Sequence, residues 1–279
     1  MIDIKNIVLS REEIEKCISF SNTCALNQQA IEFGQKTTKA RGTREIARDN
    51  LIGKIAEVAF AKVMRENYGI EVPLDFNYYP RGQWDEEDSI INGWRIDIKG
   101  TRRGGRWMLI EWNKLNFRQR DNNLSHIFMM FTVDWDRDRD QPTGRVIYEG
   151  VASLSKLTPD CGTTLVLRKG DLLPGTGTHL QADNFGIQFR DLNSNLGEVI
   201  DFIQKQTPPA WITDSFKNPY TGQTTREMLG LGTAEPAYDS ETAPAVKPQI
   251  VQEAPAKPKE DQNEGWLSKL LKRIKEWFS

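Results

Sequence analysis

The stretch DSIINGWRIDIKG, Asp88 to Gly100, places an aspartate near each end of a hairpin signal, with a lysine two positions beyond the second. Asn-Gly between apolar-rich arms is a strong hairpin mark, because both central residues of a type I′ turn need positive φ. A two-residue loop at Asn92-Gly93 pairs Ile91 with Trp94, Ile90 with Arg95, Ser89 with Ile96, and Asp88 with Asp97. The two carboxylates then stand on one face with Cβ atoms roughly 5 Å apart, and strand alternation adds Lys99 to that face. The other face receives Ile91, Trp94, Ile96 and Ile98. Like charges directly opposed on a sheet are destabilising, so something must offset them. Arg95 and Lys99 can do so as a surface charge network. A divalent cation can do so with hard oxygen ligands, water and substrate phosphates. The hairpin alone leaves both readings open.

The segment upstream bears on the choice. From Thr43 to about Asn67 the chain reads as a helix, with Ile52, Ile55, Ala56, Ala59 and Val63 at helical spacing. Within LIGKIAEVAFAKV, Glu57 lies one turn after Gly53 and one turn before Ala61. Small residues on its stripe let the helix approach a sheet closely and point Glu57 inward. An acid inside an apolar stretch is unfavourable unless paired or bound to metal. The alternative is that Glu57 sits at the edge of the apolar face and pairs with Lys54 or Lys62.

Glu57 on an amphipathic helix, then Asp88, then Asp97-Ile98-Lys99 on a hairpin strand, resembles the PD-(D/E)XK nuclease superfamily, with its restriction-endonuclease-like fold. In that family a helical acid, a strand acid and a D/E-x-K triplet assemble one metal site. The downstream order is similar too: a basic loop (GTRRGGR), an apolar strand (HIFMMFTVDW), then VIYEGVASLSKL with its Gly-x-Ala. The resemblance spans about Arg44 to Leu157, and more loosely reaches the helix near Ile203. Glu87, not proline, precedes Asp88, which departs from the pattern. Asp85 in WDEED is a rival acid, but it lies past the pairing reach of Asp97. Continuing the register through Gly104-Gly105 sets Ile110 and Trp112 on the acidic face, so either a bulge intervenes or those residues lie away from the site.

The resemblance implies an α/β domain with a central mixed sheet flanked by helices, and a metal-dependent nuclease acting on DNA in restriction, repair or defence. Mg²⁺ or Mn²⁺ would be held by Asp88 and Asp97, with the Ile98 carbonyl as a further ligand and Glu57 bound directly or through water. Lys99 would orient or deprotonate the attacking water, or stabilise developing charge. Phosphodiester cleavage needs both functions. Arg102, Arg103 and Arg106, on the loop leaving the strand, would grip phosphates near the cut. A homodimer would suit double-strand cuts. The competing reading is a non-catalytic nucleic-acid-binding or scaffold module on the same fold. Presence of all four polar residues, Glu57, Asp88, Asp97 and Lys99, argues against it.

Composition is consistent with this. The chain has 279 residues, 38% of them hydrophobic and 27% charged, enough for one domain of about 200 residues plus appendages. The formal net charge of −2 predicts no partner, but the distribution does. Eight basic residues fall between Arg95 and Arg120, and six between Lys36 and Lys54, as on a polyanion-binding face. Three cysteines without a CxxC pair and two histidines disfavour a zinc site or a disulfide framework. The N-terminus lacks an apolar signal core and no stretch approaches a membrane span, so a cytoplasmic protein is expected.

The expected domain runs over 1–207, opening with a capping box at Ser10 and Glu13 and closing with the helix NLGEVIDFIQKQ. Residues 208–264 are rich in Pro, Thr, Glu, Gln and Lys and read as a disordered linker. Residues 265–279 read as an amphipathic helix, with Trp266, Leu270, Ile274 and Trp277 on one face and Lys269, Arg273 and Lys275 opposite. Such a helix can enter a partner's groove, lie on an anionic membrane, or dock on its own domain. DWDRDRD lacks the glycine and final acid of a calcium loop and reads as a solvated turn. His126 and His179 read as structural.

Overall fold

A computed structural model describes residues 1–27, 42–77, 88–111, 125–153 and 164–208. The capping box forms: the Glu13 N–H donates to Ser10 Oγ at 3.1 Å and the Ser10 N–H to Glu13 Oε2 at 2.6 Å. It opens α1 (Arg11–Asn27). Helix α2 (Thr43–Tyr68) buries the stripe that its spacing marks, including Ile52, Ile55, Ala56, Ala59 and Val63. Gly69, at φ 66°, closes it in a left-handed conformation that glycine adopts without strain. Helix α3 (Leu196–Lys205) starts where the Asn195 side chain accepts the Glu198 N–H at 3.3 Å.

The Asn-Gly hairpin forms in the expected register. Strand β1 (Ile7–Val8) precedes it, and its own arms are β2 (Ser89–Ile91) and β3 (Trp94–Arg102). Asn92 at φ 49° and Gly93 at φ 79° are both positive, as a type I′ turn requires. Ile91 faces Trp94, Ile90 faces Arg95 and Ser89 faces Ile96. The Asn92 side chain also donates to the Ile203 carbonyl at 2.9 Å, tying the turn to α3.

The continuation differs from a run of hairpins. The chain does turn at Gly104-Gly105, where the Gly105 N–H reaches the Arg102 carbonyl at 3.1 Å. Strand β4 (Trp107–Glu111) then leaves β3 and pairs antiparallel with β8 (Asn184–Gln188), which also pairs with β7 (Leu165–Leu167). Burial explains the departure: Met108 and Ile110 pack with Phe128, Met130, Phe185 and Ile187 in one apolar cluster. Ile110 therefore belongs to the second sheet and packs against Phe128 and Met130, the strand neighbours of Asp97 and Lys99, and Trp112 lies outside the described residues.

Strand β5 (Ile127–Asp136) pairs parallel with β3, and β6 (Gln141–Ser153) pairs antiparallel with β5. The main sheet runs β1-β6-β5-β3-β2 and is mixed; β4, β8 and β7 form a second, antiparallel sheet. Residues of α1, α2 and α3 share one apolar cluster with Ile96, Ile98, Met129 and Phe131 of the main sheet. Among the described residues, then, the helices join one face of the main sheet and the second sheet covers the other. A mixed sheet flanked by helices is the α/β arrangement that the sequence leads one to expect, and the second sheet is an addition to it. No helix among the described residues is long and apolar enough to cross a membrane. Asp85, Glu87 and residues 209–279, including the expected terminal helix, lie outside the described residues.

Two residues fix the position of β3. A Cβ added to Gly100 would come within 2.7 Å of the Ile52 carbonyl oxygen on α2, so glycine sets how closely helix and sheet meet. His126, buried at the start of β5, accepts the Arg95 N–H through Nδ1 at 3.0 Å. Burial, with a smaller contribution from Arg95, pushes this histidine down to about 4 from an ordinary 6.5, so the ring is neutral.

Two measurements follow. Gly100→Ala must shift backbone and should destabilise the chain by about 1–3 kcal/mol in denaturant unfolding. A value within noise would mean that α2 yields freely. For His126 the folded pKa is depressed, so its contribution is present above about 6.5 and is lost as pH falls toward about 4. Over that window wild type should lose stability relative to His126→Asn, which keeps an acceptor but does not titrate. Parallel pH profiles would contradict the buried neutral ring.

Candidate functional site

Strand β2 ends at Ser89, so Asp88 is the first residue beyond the ladder that β2 makes with β3. Alternation along an antiparallel pair directs the N–H of Ile98 toward this side. There the Asp88 Oδ2 accepts it at 2.6 Å, taking the place of a backbone carbonyl. The Ile98 carbonyl points the same way by the same alternation. The observed ladder ends at Ser89–Ile96; its continuation would set Asp88 across from Asp97, with Lys99 following on the Asp97 face. The Lys99 ammonium spans both oxygens of Asp97, at 2.5 and 2.6 Å.

Parallel pairing sets Asp97 beside Phe128 and Lys99 beside Met130, two members of the cluster between the sheets. The Lys99 Nζ lies 6.0 Å from the Phe128 ring centroid. The ion pair is thus largely withdrawn from water, with Lys99 at 16% and Asp97 at 19% exposure. Glu57 comes from α2, on the other face of the sheet. It ion-pairs with Lys54, which also donates to the Asp75 carbonyl at 2.7 Å. Phe20 and Phe76 cover that ammonium, with centroids 4.7 and 5.5 Å away. Lys62 pairs instead with Glu13 at 3.1 Å. The expectation that Glu57 points inward and the alternative that it pairs with Lys54 therefore both describe the same side chain, which is 14% exposed.

Asp88 registers the whole group. Burial raises its pKa most, and the carboxylates of Asp97 and Glu57 raise it further. Lys99 and the Ile98 N–H act the other way but do not win, and Asp88 is held at about 8 against an ordinary 3.8. Glu57, Asp97 and Lys99 are therefore each near enough to act on Asp88 electrostatically. Closer association is limited. Among the described residues, no three His, Cys, Asp or Glu side chains are grouped closely enough to hold one ion.

The donors still suit a hard cation. Asp88 and Asp97 supply two carboxylates and Ile98 a carbonyl directed to the same side, whereas Mg²⁺ commonly takes one or two carboxylates with water and phosphate. Added positive charge at Asp88 would relieve a repulsion that the chain's own lysines leave standing. Glu57, engaged by Lys54, is placed to act through water more readily than by direct ligation.

The arginines divide. Arg102 and Arg103 line a cleft of about 730 Å³ between the α2 N-terminal half, the end of β3 and the β5–β6 turn. Gly100, next to Lys99, lies on its wall. Arg106 is exposed at the start of β4, its carbonyl accepting the Phe189 N–H at 3.0 Å, and is not among the residues lining that cleft. Sequence reasoning named Lys54 beside Lys62 as a partner for Glu57 but did not choose between them, although a position three residues before Glu57 on a helix was a signal. It also missed Trp135 and Arg137 on the cleft wall, since DWDRDRD read only as a turn. No family model, curated protein or solved structure matches the chain.

The raised carboxyl has a measurable consequence without any metal. A group whose folded pKa lies above its unfolded value stabilises at low pH, and that contribution is lost as pH rises toward about 8. In EDTA, wild type should lose stability between about pH 4 and about 8 relative to Asp88→Asn, which keeps an acceptor for the Ile98 N–H. If the two melting profiles ran parallel across this window, Asp88 would be ionised throughout and the crowding of acids would be disproved.

Proposed function

We propose that this chain is a divalent-metal-dependent nuclease that hydrolyses phosphodiester bonds, with DNA as its substrate and Mg²⁺ or Mn²⁺ as its cofactor. The observation that carries the reading is Asp88. It is a half-buried carboxyl beside Asp97 at a strand end, raised by desolvation and then by two neighbouring acids, with Lys99 paired to Asp97. A purely structural pair gains nothing from such opposition, whereas functional sites retain arrangements that are locally unfavourable.

The reading also draws on the resemblance of Glu57, Asp88 and Asp97-Ile98-Lys99 to the PD-(D/E)XK pattern, on a domain with a restriction-endonuclease-like core. Asp88, Asp97 and the Ile98 carbonyl would hold the ion, which when bound supplies Lewis-acid charge to the phosphoryl oxygen and acidifies water. Lys99, with three N–H donors, orients the attacking water and meets the charge that develops on the phosphoryl oxygens. Lys54 holds Glu57 in place, from where its carboxylate would act on the ion through water. Arg102 and Arg103, beyond Gly100, bind the phosphates that flank the cut.

One observation favours a second reading. Lys99 already spans Asp97 and Lys54 already engages Glu57, so much of the charge is answered within the chain. A non-catalytic nucleic-acid-binding module would have that property.

Supercoiled plasmid separates the two readings. The full chain should nick or linearise it with Mg²⁺ or Mn²⁺ and be inert in EDTA. Asp97→Ala and Lys99→Ala should each lose about a hundredfold or more of the rate. A folded chain that binds plasmid yet never cuts it with either metal would assign the binding module instead.

A further inference from the structure

The cleft beside Gly100 has features that the hydrolytic reading does not use. Its volume of about 730 Å³ falls within the range of a pocket for one small ligand, roughly 300–1,000 Å³, so a nucleotide fits and a duplex does not. Trp135 lines it, half-buried, its indole fixed by an Nε1–H bond to Asp140 Oδ1 at 3.0 Å. The other oxygen of Asp140 is taken by Arg44 at 2.7 Å, so the ring is anchored through two links to α2. Arg102 lies with its guanidinium carbon 5.9 Å from the indole centroid. Arg137, exposed on the β5–β6 turn, lines the same space.

Charge sorts the walls. Arg103 is engaged by Asp134 at 3.3 Å, and Asp140 by Arg44 and Trp135. Among the described residues, Arg102 and Arg137 have no ion-pair partner. On α2, one turn after Arg44, Arg48 has a buried Nε with no hydrogen-bond partner among the described residues, and it lies close enough to Asp140 to lower its pKa. A buried unmatched donor is uncommon and favours an anion nearby. Asp49 stands on the α2 wall of the same cleft. A rigid aromatic face beside two guanidiniums matches a nucleotide, with its base and phosphate, better than a bare polyanion.

We propose that the cleft between α2, the end of β3 and the β5–β6 turn binds an unpaired nucleotide of a nucleic-acid strand, its base stacked on Trp135 and its phosphate held by Arg102 and Arg137. The assignment rests on the nuclease reading for its position beside the scissile phosphate. The substrate class then becomes a strand with a single-stranded segment, such as an overhang, a flap or a locally opened duplex.

Binding is measured on the full chain in EDTA, by fluorescence anisotropy, so that it does not depend on cleavage. The probes are a fluorescein-labelled oligodeoxythymidylate of about 12 nucleotides, within the usual single-strand site size, and a blunt duplex of equal length. Trp135→Ala and Arg137→Ala should each weaken the single strand by about tenfold while changing duplex affinity much less. Trp135→Phe, which keeps an aromatic face, should retain most of the affinity. If Trp135→Ala does not fold, Arg137→Ala on the exposed turn and Trp135→Phe carry the test. Equal losses on both probes, or no loss on either, would overturn the proposal. So would displacement of the oligonucleotide by millimolar thymidine monophosphate that depends on Trp135, because the cleft would then serve a free nucleotide. A chain that binds in this way but never cuts plasmid would refute the nuclease reading and leave the cleft assignment intact.

Discussion

The interaction on which the site depends is the bond from the Ile98 N–H to the Asp88 carboxylate. It occurs because β2 stops one residue short of the position where a backbone carbonyl would continue the ladder. A side-chain carboxylate completing a strand edge is pulled into a half-buried position, directly beside the strand that carries Asp97 and Lys99. Everything that makes the site chemically unusual follows from this substitution of side chain for backbone. It brings a second acid against the first, removes water, and leaves Asp88 at about 8 although Lys99 is near.

The rest of the fold can be read as what holds that strand end in place. Gly100 lets α2 come down on β3 at Ile52, which brings Glu57 within electrostatic reach of Asp88. The parallel partner β5 lays Phe128 and Met130 beside Asp97 and Lys99, so the ion pair rests on an apolar floor. The second sheet closes that floor from the other side through Met108, Ile110 and Phe185. The lysines that answer the acids differ in their surroundings. Lys99 meets Asp97 across a strand face, whereas Lys54 is enclosed by Phe20, Phe76 and a backbone carbonyl, and so is bound more rigidly to its glutamate.

This distribution of charge suits a site that changes partners. Buried pairs are weak contributors to stability because desolvation offsets most of their attraction. Their value here lies in keeping hard oxygen donors and an ammonium close together and out of bulk water. The basic cleft just past Gly100 extends the same logic outward, with arginines at the end of β3 and an anchored indole near the end of β5.

Sequence by itself determined what is local. The capping box, the buried stripe of α2, the type I′ turn and the Asp88–Asp97 register all follow from periodicities and turn chemistry within short windows, where each residue's geometry is set by its chain neighbours. The four polar residues of the candidate site were legible for that reason: three share one hairpin and the fourth sits on a strongly patterned helix. Tertiary structure alone decided the parallel pairing of β3 with β5, the departure of β4 into a second sheet, and Lys54 as the partner of Glu57 in preference to Lys62. The first two turn on which distant apolar faces bury one another, and Met108 or Ile110 carries the same local pattern whichever sheet it joins. The third turns on burial: Lys54 and Lys62 lie on opposite sides of Glu57 along the same helix, and only packing against Phe20 and Phe76 makes one the partner and leaves the other for Glu13. The cleft is likewise a product of assembly, because Asp49, Arg102 and Trp135 lie on three elements that no window of sequence contains together.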